Sequence, residues 1–304
     1  MIEKKEIDNN INTHWKIEKK TLKEYKYGLC KFILDKSYEL DISKEIAVCA
    51  MQIVNYFFIK NCYFNHDKLT IACAALSLSI KLKFSSNNDN LNKIIEIYIS
   101  NKKEELENNS ISLKQQIRNL KKKLLDKEIK IMKLFNYSLP DKFPFEYIYL
   151  YSKILYPNNE DEIYNIGNKI CVDSYFTYAN NIYQNFVISL ACIFMAAKFL
   201  DIKTFFDKNF KNFDKMKYIH QKDINENIFI NRMYQFIDEP EELLINEKDE
   251  NIEKSKNEYF NNLNLYKKLH PFLEIDDLLE CIKMISDFYE EININYNEIN
   301  KKNK

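Results

Sequence analysis

Few side chains in this 304-residue sequence are spaced for chemistry. Its seven cysteines (Cys30, Cys49, Cys62, Cys73, Cys171, Cys192, Cys281) form no Cys-x-x-Cys pair. Four fall inside apolar helical patterns, where a thiol acts as a small hydrophobe. They are expected to be reduced, in an intracellular protein. His66, His220 and His270 are too dispersed to suggest a metal site and suit caps or surface positions. A cysteine nucleophile would need an activating base and a third, orienting group, and no spacing supplies them. The best-placed charge is Lys81, read together with Glu128. Lys81 abruptly ends the run Ile71-Ala-Cys-Ala-Ala-Leu-Ser-Leu-Ser-Ile80, which has neither charge nor breaker. At about eleven residues the run is too short to span a bilayer, which takes about 20. Its small residues let other helices approach from every side, as in a helix buried at the centre of a helical domain. Lys81 is then the charge at which a buried rod reaches the surface, a group for binding rather than for reaction.

The elements that must position it are helices. There are 2 glycines and 5 prolines, where average usage would give about 21 and about 15. Hairpin turns need glycine at positive φ, so an extensive antiparallel sheet is not expected. All five prolines lie at or after Pro140, which favours long helices before it. The formal net charge is +0, with 45 basic and 45 acidic residues. That offers no global basic excess for nucleic acid. The N-terminus (Met1-Ile-Glu-Lys-Lys-Glu6) has no apolar core after its charges and does not read as a signal peptide.

In chain order, residues 1–19 form a polar N-terminal segment whose single Trp, Trp15, is expected to dock on the flank of the fold or to touch a partner. Thr21-Leu-Lys-Glu24 has capping-box spacing and predicts a helix start. Leu22, Tyr25, Leu29, Phe32 and Ile33 follow on one face, with Gly28 packed closely by another helix. Asp41-Ile-Ser43 caps a second helix carrying Ile46, Cys49, Ala50, Ile53, Val54 and Phe57. After the break Asn65-His-Asp67, the third helix runs from Leu69 to Leu82. Ser85–Asn90 is a polar loop and Leu91–Tyr98 a short fourth helix. Residues 101–112 form a connection, and a long helix from Leu113 to Phe135 ends at Leu139-Pro140. Helices at Phe145–Leu155, Glu160–Tyr178 and Phe186–Leu200 follow. Ile188–Lys198 repeats the character of Ile71–Lys81 at a constant offset, since 188 − 71 and 198 − 81 are both 117. Two units, each built on a buried helix ending in lysine, suggest an internal duplication. Residues 203–270 are an Asn/Lys/Glu-rich insertion. A closing amphipathic helix occupies 271–290, and 291–304 is an unstructured tail.

This pattern resembles the cyclin family, and most nearly its transcription-type branch (cyclins T, K and L). The carriers are Glu24-Tyr25-Lys26 with Cys30–Ile33 for the first box helix, and Ala74–Lys81 for the alanine-rich third helix that ends in lysine. Glu128–Leu139 is similar to the fifth helix, Asp173–Thr177 and Ala191–Lys198 to the second box, and Ile275–Tyr289 to the closing helix. The resemblance implies an all-α fold of two tandem five-helix cyclin boxes, 20–140 and 141–202, the second completed by 271–290. It also implies a regulatory subunit with no active site or cofactor, which forms a heterodimer with a cyclin-dependent Ser/Thr kinase in the nucleus, and possible action on the RNA polymerase II tail. Neither membrane nor nucleic acid is expected as a partner.

In that family the lysine of helix three and the glutamate of helix five grip the kinase main chain. Here they are Lys81 and Glu128, expected to emerge side by side, with Leu82, Met132, Tyr137 and Leu139 supplying apolar packing. Charge-assisted bonds of this kind are the stronger ones. Lys198 has no matching acid and is expected to be a solvated helix end, as are Lys121–Lys123. Where relatives carry a Met-Arg-Ala-Ile-Leu docking patch, this sequence has Tyr25-Lys26-Tyr27-Gly28-Leu29, so docking of Arg-x-Leu substrates is not expected. Two other readings stay open: a TFIIB-like or adaptor protein that binds DNA or the transcription machinery without a kinase, and a helical scaffold.

Overall fold

The structure is a computed structural model. It describes Ile7 and residues 18–83, 88–101, 113–200, 202 and 274–302. The expectations for residues 1–17 other than Ile7, including Trp15, for the connection 102–112, for the insertion 203–270 and for His220 and His270 lie outside the described residues. Those described fold into helices joined by turns, with no strand among them. In chain order these are α1 (Lys19–Glu39), α2 (Lys44–Lys60), a 3-10 turn (Tyr63–Asn65), α3 (Lys68–Lys83), α4 (Asn88–Asn101) and α5 (Leu113–Leu134). There follow α6 (Phe145–Leu155), α7 (Glu160–Ser174), α8 (Ala179–Ile182), α9 (Asn185–Phe199) and α10 (Ile275–Lys302). The chain divides into two compact units, Met1–Phe143 with Asn180–Ile182, and Pro144–Ala179 with Tyr183–Lys304.

Unit one is built around α3. Thr70 through Ile80 are buried without interruption, and α1, α2, α4 and α5 all pack on this helix. Two of its three buried hydroxyls find partners within the fold, as burial favours. Ser79 Oγ donates to the Ala75 carbonyl at 2.9 Å, and Thr70 Oγ1 donates to Asp67 Oδ2 at 2.6 Å where α3 begins. Unit two is built the same way around α9, whose unbroken buried stretch is Val187 through Ala197. It packs on α6, α7 and α10. The two buried stretches keep the offset read from the sequence, 187 − 70 and 197 − 80 both being 117. Lys198 at the end of α9 is half-buried rather than solvated.

Several boundaries differ from expectation for local reasons. α1 starts at Lys19, before the capping-box Thr21, with Glu18 in the cap position and no side-chain cap bond. α4 starts at Asn88, inside the expected loop. α7 stops at Ser174, where Thr177 Oγ1 donates to the Ser174 carbonyl at 2.6 Å and accepts from the Ala179 N–H at 3.0 Å. The expected tail is helical to Lys302, because no glycine or proline follows Pro271 to stop it.

With so little glycine, Asp41 (φ 52°) and Asn136 (φ 49°) take the left-handed positions that end α1 and α5. After α1, the Ile42 N–H donates to the Ser37 carbonyl at 2.9 Å and Asp41 to Tyr38 at 3.1 Å. After α5, Tyr137 donates to Met132 at 2.8 Å and Asn136 to Lys133 at 3.1 Å. These are the paired bonds of a Schellman closure. Asp41 therefore closes α1, and Ser43 stands at the N-cap of α2. α5 ends at Leu134, ahead of Pro140.

The two glycines have opposite surroundings. A Cβ on Gly28 would meet nothing within 4 Å, so the close packing expected there is absent. A Cβ on Gly167 would come within 3.2 Å of Cγ2 of Ile148, which is fully buried. Gly28→Ala is expected to raise stability by up to about 1 kcal/mol. Gly167→Ala is expected to gain nothing, or to lose up to about 2 kcal/mol through overpacking. Urea unfolding of both variants checks this, and equal stabilisation by the two would refute close packing at Gly167.

Unit two also holds a half-buried acid, Asp173, whose Oδ2 accepts from the Tyr289 hydroxyl at 2.6 Å. Burial raises its carboxyl from 3.8 to about 6, partly offset by that hydrogen bond. The folded state thus holds this proton at pH values where the unfolded chain releases it. The group's contribution is greatest below about pH 4 and is lost as pH rises towards 6. Asp173→Asn is expected to remove this dependence and to leave the protein more stable than wild type at pH 7.5. Denaturant melts across pH 4 to 7.5 give the answer, and a wild-type-minus-variant difference that stays constant over the window would contradict it.

Candidate functional site

Lys81 lies in the last turn of α3 and Glu128 within α5. The structure brings them together: Lys81 Nζ donates to Glu128 Oε1 at 2.8 Å and to Oε2 at 2.7 Å. They do not emerge equally, however. The Lys81 side chain keeps 37% of its surface exposed and that of Glu128 only 8%. The reason is where Glu128 falls on α5. Leu120, Leu124 and Ile131 form the buried face, and Glu128, four after Leu124 and three before Ile131, stands at its edge. A carboxylate placed there needs a cation, and the end of the buried rod supplies one.

On the outer side of Glu128 the helix is apolar. Leu125 (47% exposed) and Ile129 (51%) share a stripe with half-buried Met132 at i, i+4 and i+7. Leu82, next to the lysine, is 47% exposed. The sequence pattern points to Leu82 and Met132 but not to Leu125 or Ile129. The missed signal was a second apolar register on α5, offset from the buried one. Tyr137 and Leu139 follow the turn that closes α5. Leu139 is half-buried, while Tyr137 is 66% exposed with φ 62°. A bulky residue in the left-handed region is strained, and such outliers gather at functional positions. The site therefore has a shielded ion pair, one ammonium face open to solvent and a rim of exposed apolar side chains.

The described cysteines are free thiols, and burial pushes Cys30 and Cys73 up to about 12 and Cys49 to about 11. At those values there is no thiolate to attack with. Among the described residues no cluster of His, Cys, Asp and Glu could hold a metal ion, and no helix is long and apolar enough to cross a membrane. His66 is half-buried, edge-on to Phe57 at 5.1 Å.

No family model and no curated protein matches this sequence. A solved fold does. The chain is similar to one in the crystal structure of the yeast RNA Pol II CTD kinase CTDK-1 complex, with a TM-score of 0.56 over 84% of this chain and 82% of that one. At 19% identity it is the all-α fold that the two share, and this fold is consistent with cyclin boxes.

The ion pair makes a stability test possible. Lys81→Met alone strands a desolvated carboxylate, and the loss is expected to be about 1–3 kcal/mol, the scale for an unsatisfied buried group with part of its surface still wet. The double change Lys81→Met with Glu128→Leu is expected to recover most of that loss. A double-mutant cycle by chemical denaturation measures the coupling, and additive losses would mean the pair contributes nothing.

Proposed function

We propose that this protein is a cyclin: a regulatory subunit that binds and activates a cyclin-dependent Ser/Thr kinase and has no active site of its own. The observation that carries the reading is the Lys81–Glu128 pair, formed at the end of the buried central helix and bordered by Leu82, Leu125, Ile129 and Met132. An ammonium has three N–H donors and a carboxylate about four lone-pair sites. After pairing, Lys81 can still donate to a partner carbonyl and Glu128 can still accept from a partner amide. Closing the apolar rim over them would exclude water and strengthen both bonds.

Activation would follow from shape. A kinase becomes competent when the helix bearing its catalytic glutamate swings in and its activation loop orders. A rigid surface gripping the main chain beside that helix would favour the competent arrangement by binding it better. The likeness to a chain from a CTD kinase complex lends weight to a kinase partner, and we extend the proposal to a transcription-associated kinase, action on the polymerase tail and a place in the nucleus.

The test is affinity purification of the tagged full chain from its native cell, followed by a Ser/Thr kinase assay. Wild type is expected to retain a kinase. Leu125→Glu with Ile129→Glu, which leaves the ion pair intact, is expected to lose it by tenfold or more. Lys81→Ala with Glu128→Ala is expected to do the same, with thermal melts confirming that both variants fold. Kinase retention at wild-type level by both variants would remove the proposed site.

A further inference from the structure

α5 carries a second charged flank that the kinase reading does not use. Its 22 residues hold eight basic and two acidic side chains, in a chain of formal charge +0. Lys123, Lys127 and Lys130 fall at i, i+4 and i+7, across the helix from Leu125, Ile129 and Met132. This flank faces the turn leading into α3. Lys123 Nζ is 3.1 Å from Asp67 Oδ2, a carboxylate that also accepts from Thr70 Oγ1 at 2.6 Å and from the Tyr98 hydroxyl at 3.0 Å. Asp67 is thereby occupied.

Lys130 Nζ lies 3.2 Å from His66 Nε2 and 5.6 Å from the centre of the Phe57 ring. The other imidazole nitrogen, Nδ1, is buried without a hydrogen-bond partner. No carboxylate reaches Lys127 or Lys130 among the described residues. Burial and the charges of Lys130 and Lys127 push the His66 pKa down, and burial followed by Lys127 lowers that of Lys130. The two ammoniums crowd one another beside a neutral imidazole, with no anion between them. Along the same turn Phe64 is 61% exposed and meets Tyr25 edge-on at 6.2 Å, while Lys68 Nζ sits 4.0 Å from the Tyr25 ring centre.

We propose that the turn 63–67 and the Lys127–Lys130 flank of α5 form a docking site for a phosphorylated serine or threonine segment of another protein. Its phosphate would be held by Lys127 and Lys130, with the neutral His66 ring accepting from Lys130 and fixing it in place, and an adjacent apolar side chain would rest on Phe64. Two ammoniums suit a dianion better than a single carboxylate, since two phosphate oxygens can each take a separate donor. The ridge from Lys123 to Lys130 spans about 10 Å at 1.5 Å per residue. That fits one phosphate and its neighbours, whereas a nucleic-acid backbone needs a longer basic track. The site lies on the flank of α5 away from the apolar stripe, so it stands or falls separately from the kinase reading.

Fluorescence anisotropy of the full chain tests it. The probes are a labelled phosphothreonine peptide with leucine beside the phosphoresidue, its unphosphorylated twin and a single-stranded oligonucleotide. The phosphopeptide is expected to bind at least tenfold more tightly than its twin. Lys127→Gln with Lys130→Gln is expected to abolish that preference while the thermal melt stays unchanged. Phe64→Ser is expected to weaken the phosphopeptide severalfold, and Leu125→Glu with Ile129→Glu to leave it unaffected. Equal binding of the two peptides, a preference that survives loss of both lysines, or tighter, steeply salt-dependent binding of the oligonucleotide would each overturn the proposal.

Discussion

A helix buried on every side has nowhere to place a charge except at its ends. α3 is such a helix, with Thr70 through Ile80 all shielded, and unit one follows from that constraint. Four helices must cover it, so its residues must be small enough to let them approach. Its first charge must come where the covering ends. Lys81 stands there, and the shielded carboxylate of Glu128 closes on it at 2.7–2.8 Å. The pair follows from the burial of the rod, and the proposed partner surface follows from the pair.

α5 answers to three neighbourhoods at once. One face carries Leu120, Leu124 and Ile131 into the core. One edge carries Glu128 to the end of α3 and then the stripe of exposed Leu125 and Ile129 with half-buried Met132. The other edge carries Lys123 and Lys130 to the beginning of α3, at Asp67 and His66. A single helix touching both ends of the central rod fixes how it crosses the bundle. It also explains why charges of opposite sign, two residues apart in sequence, serve different surfaces.

Much of this was legible in the sequence, because uninterrupted apolar runs of small residues have few other uses. Ile71–Lys81 and its counterpart 117 positions later marked both central helices. Lys81 and Glu128 were expected together and are together. What escaped was mostly a matter of faces and ends. Glu128 was expected at the surface, but its place beside Leu124 and Ile131 puts it under cover. Gly28 suggested a close approach, yet its helix turns that residue to open space. The end of α5 was assigned to Leu139-Pro140, whereas Asn136 had already turned the chain. Leu125 and Ile129 were overlooked because a second apolar register is hard to see behind a stronger one. The helix beyond Tyr289 was missed because a polar composition was taken as reason enough to stop.

The use of Asp41 and Asn136 where most chains place glycine has an effect beyond the turns themselves. Glycine gives an unfolded chain its widest conformational freedom, and each one removed narrows the ensemble that folding must collapse. A sequence with 2 glycines in 304 residues therefore starts from a stiffer denatured state. The left-handed strain at Asp41, Asn136 and Tyr137 is borne once, in the native form. The reduction in disorder is spread over the whole length of the chain before it folds.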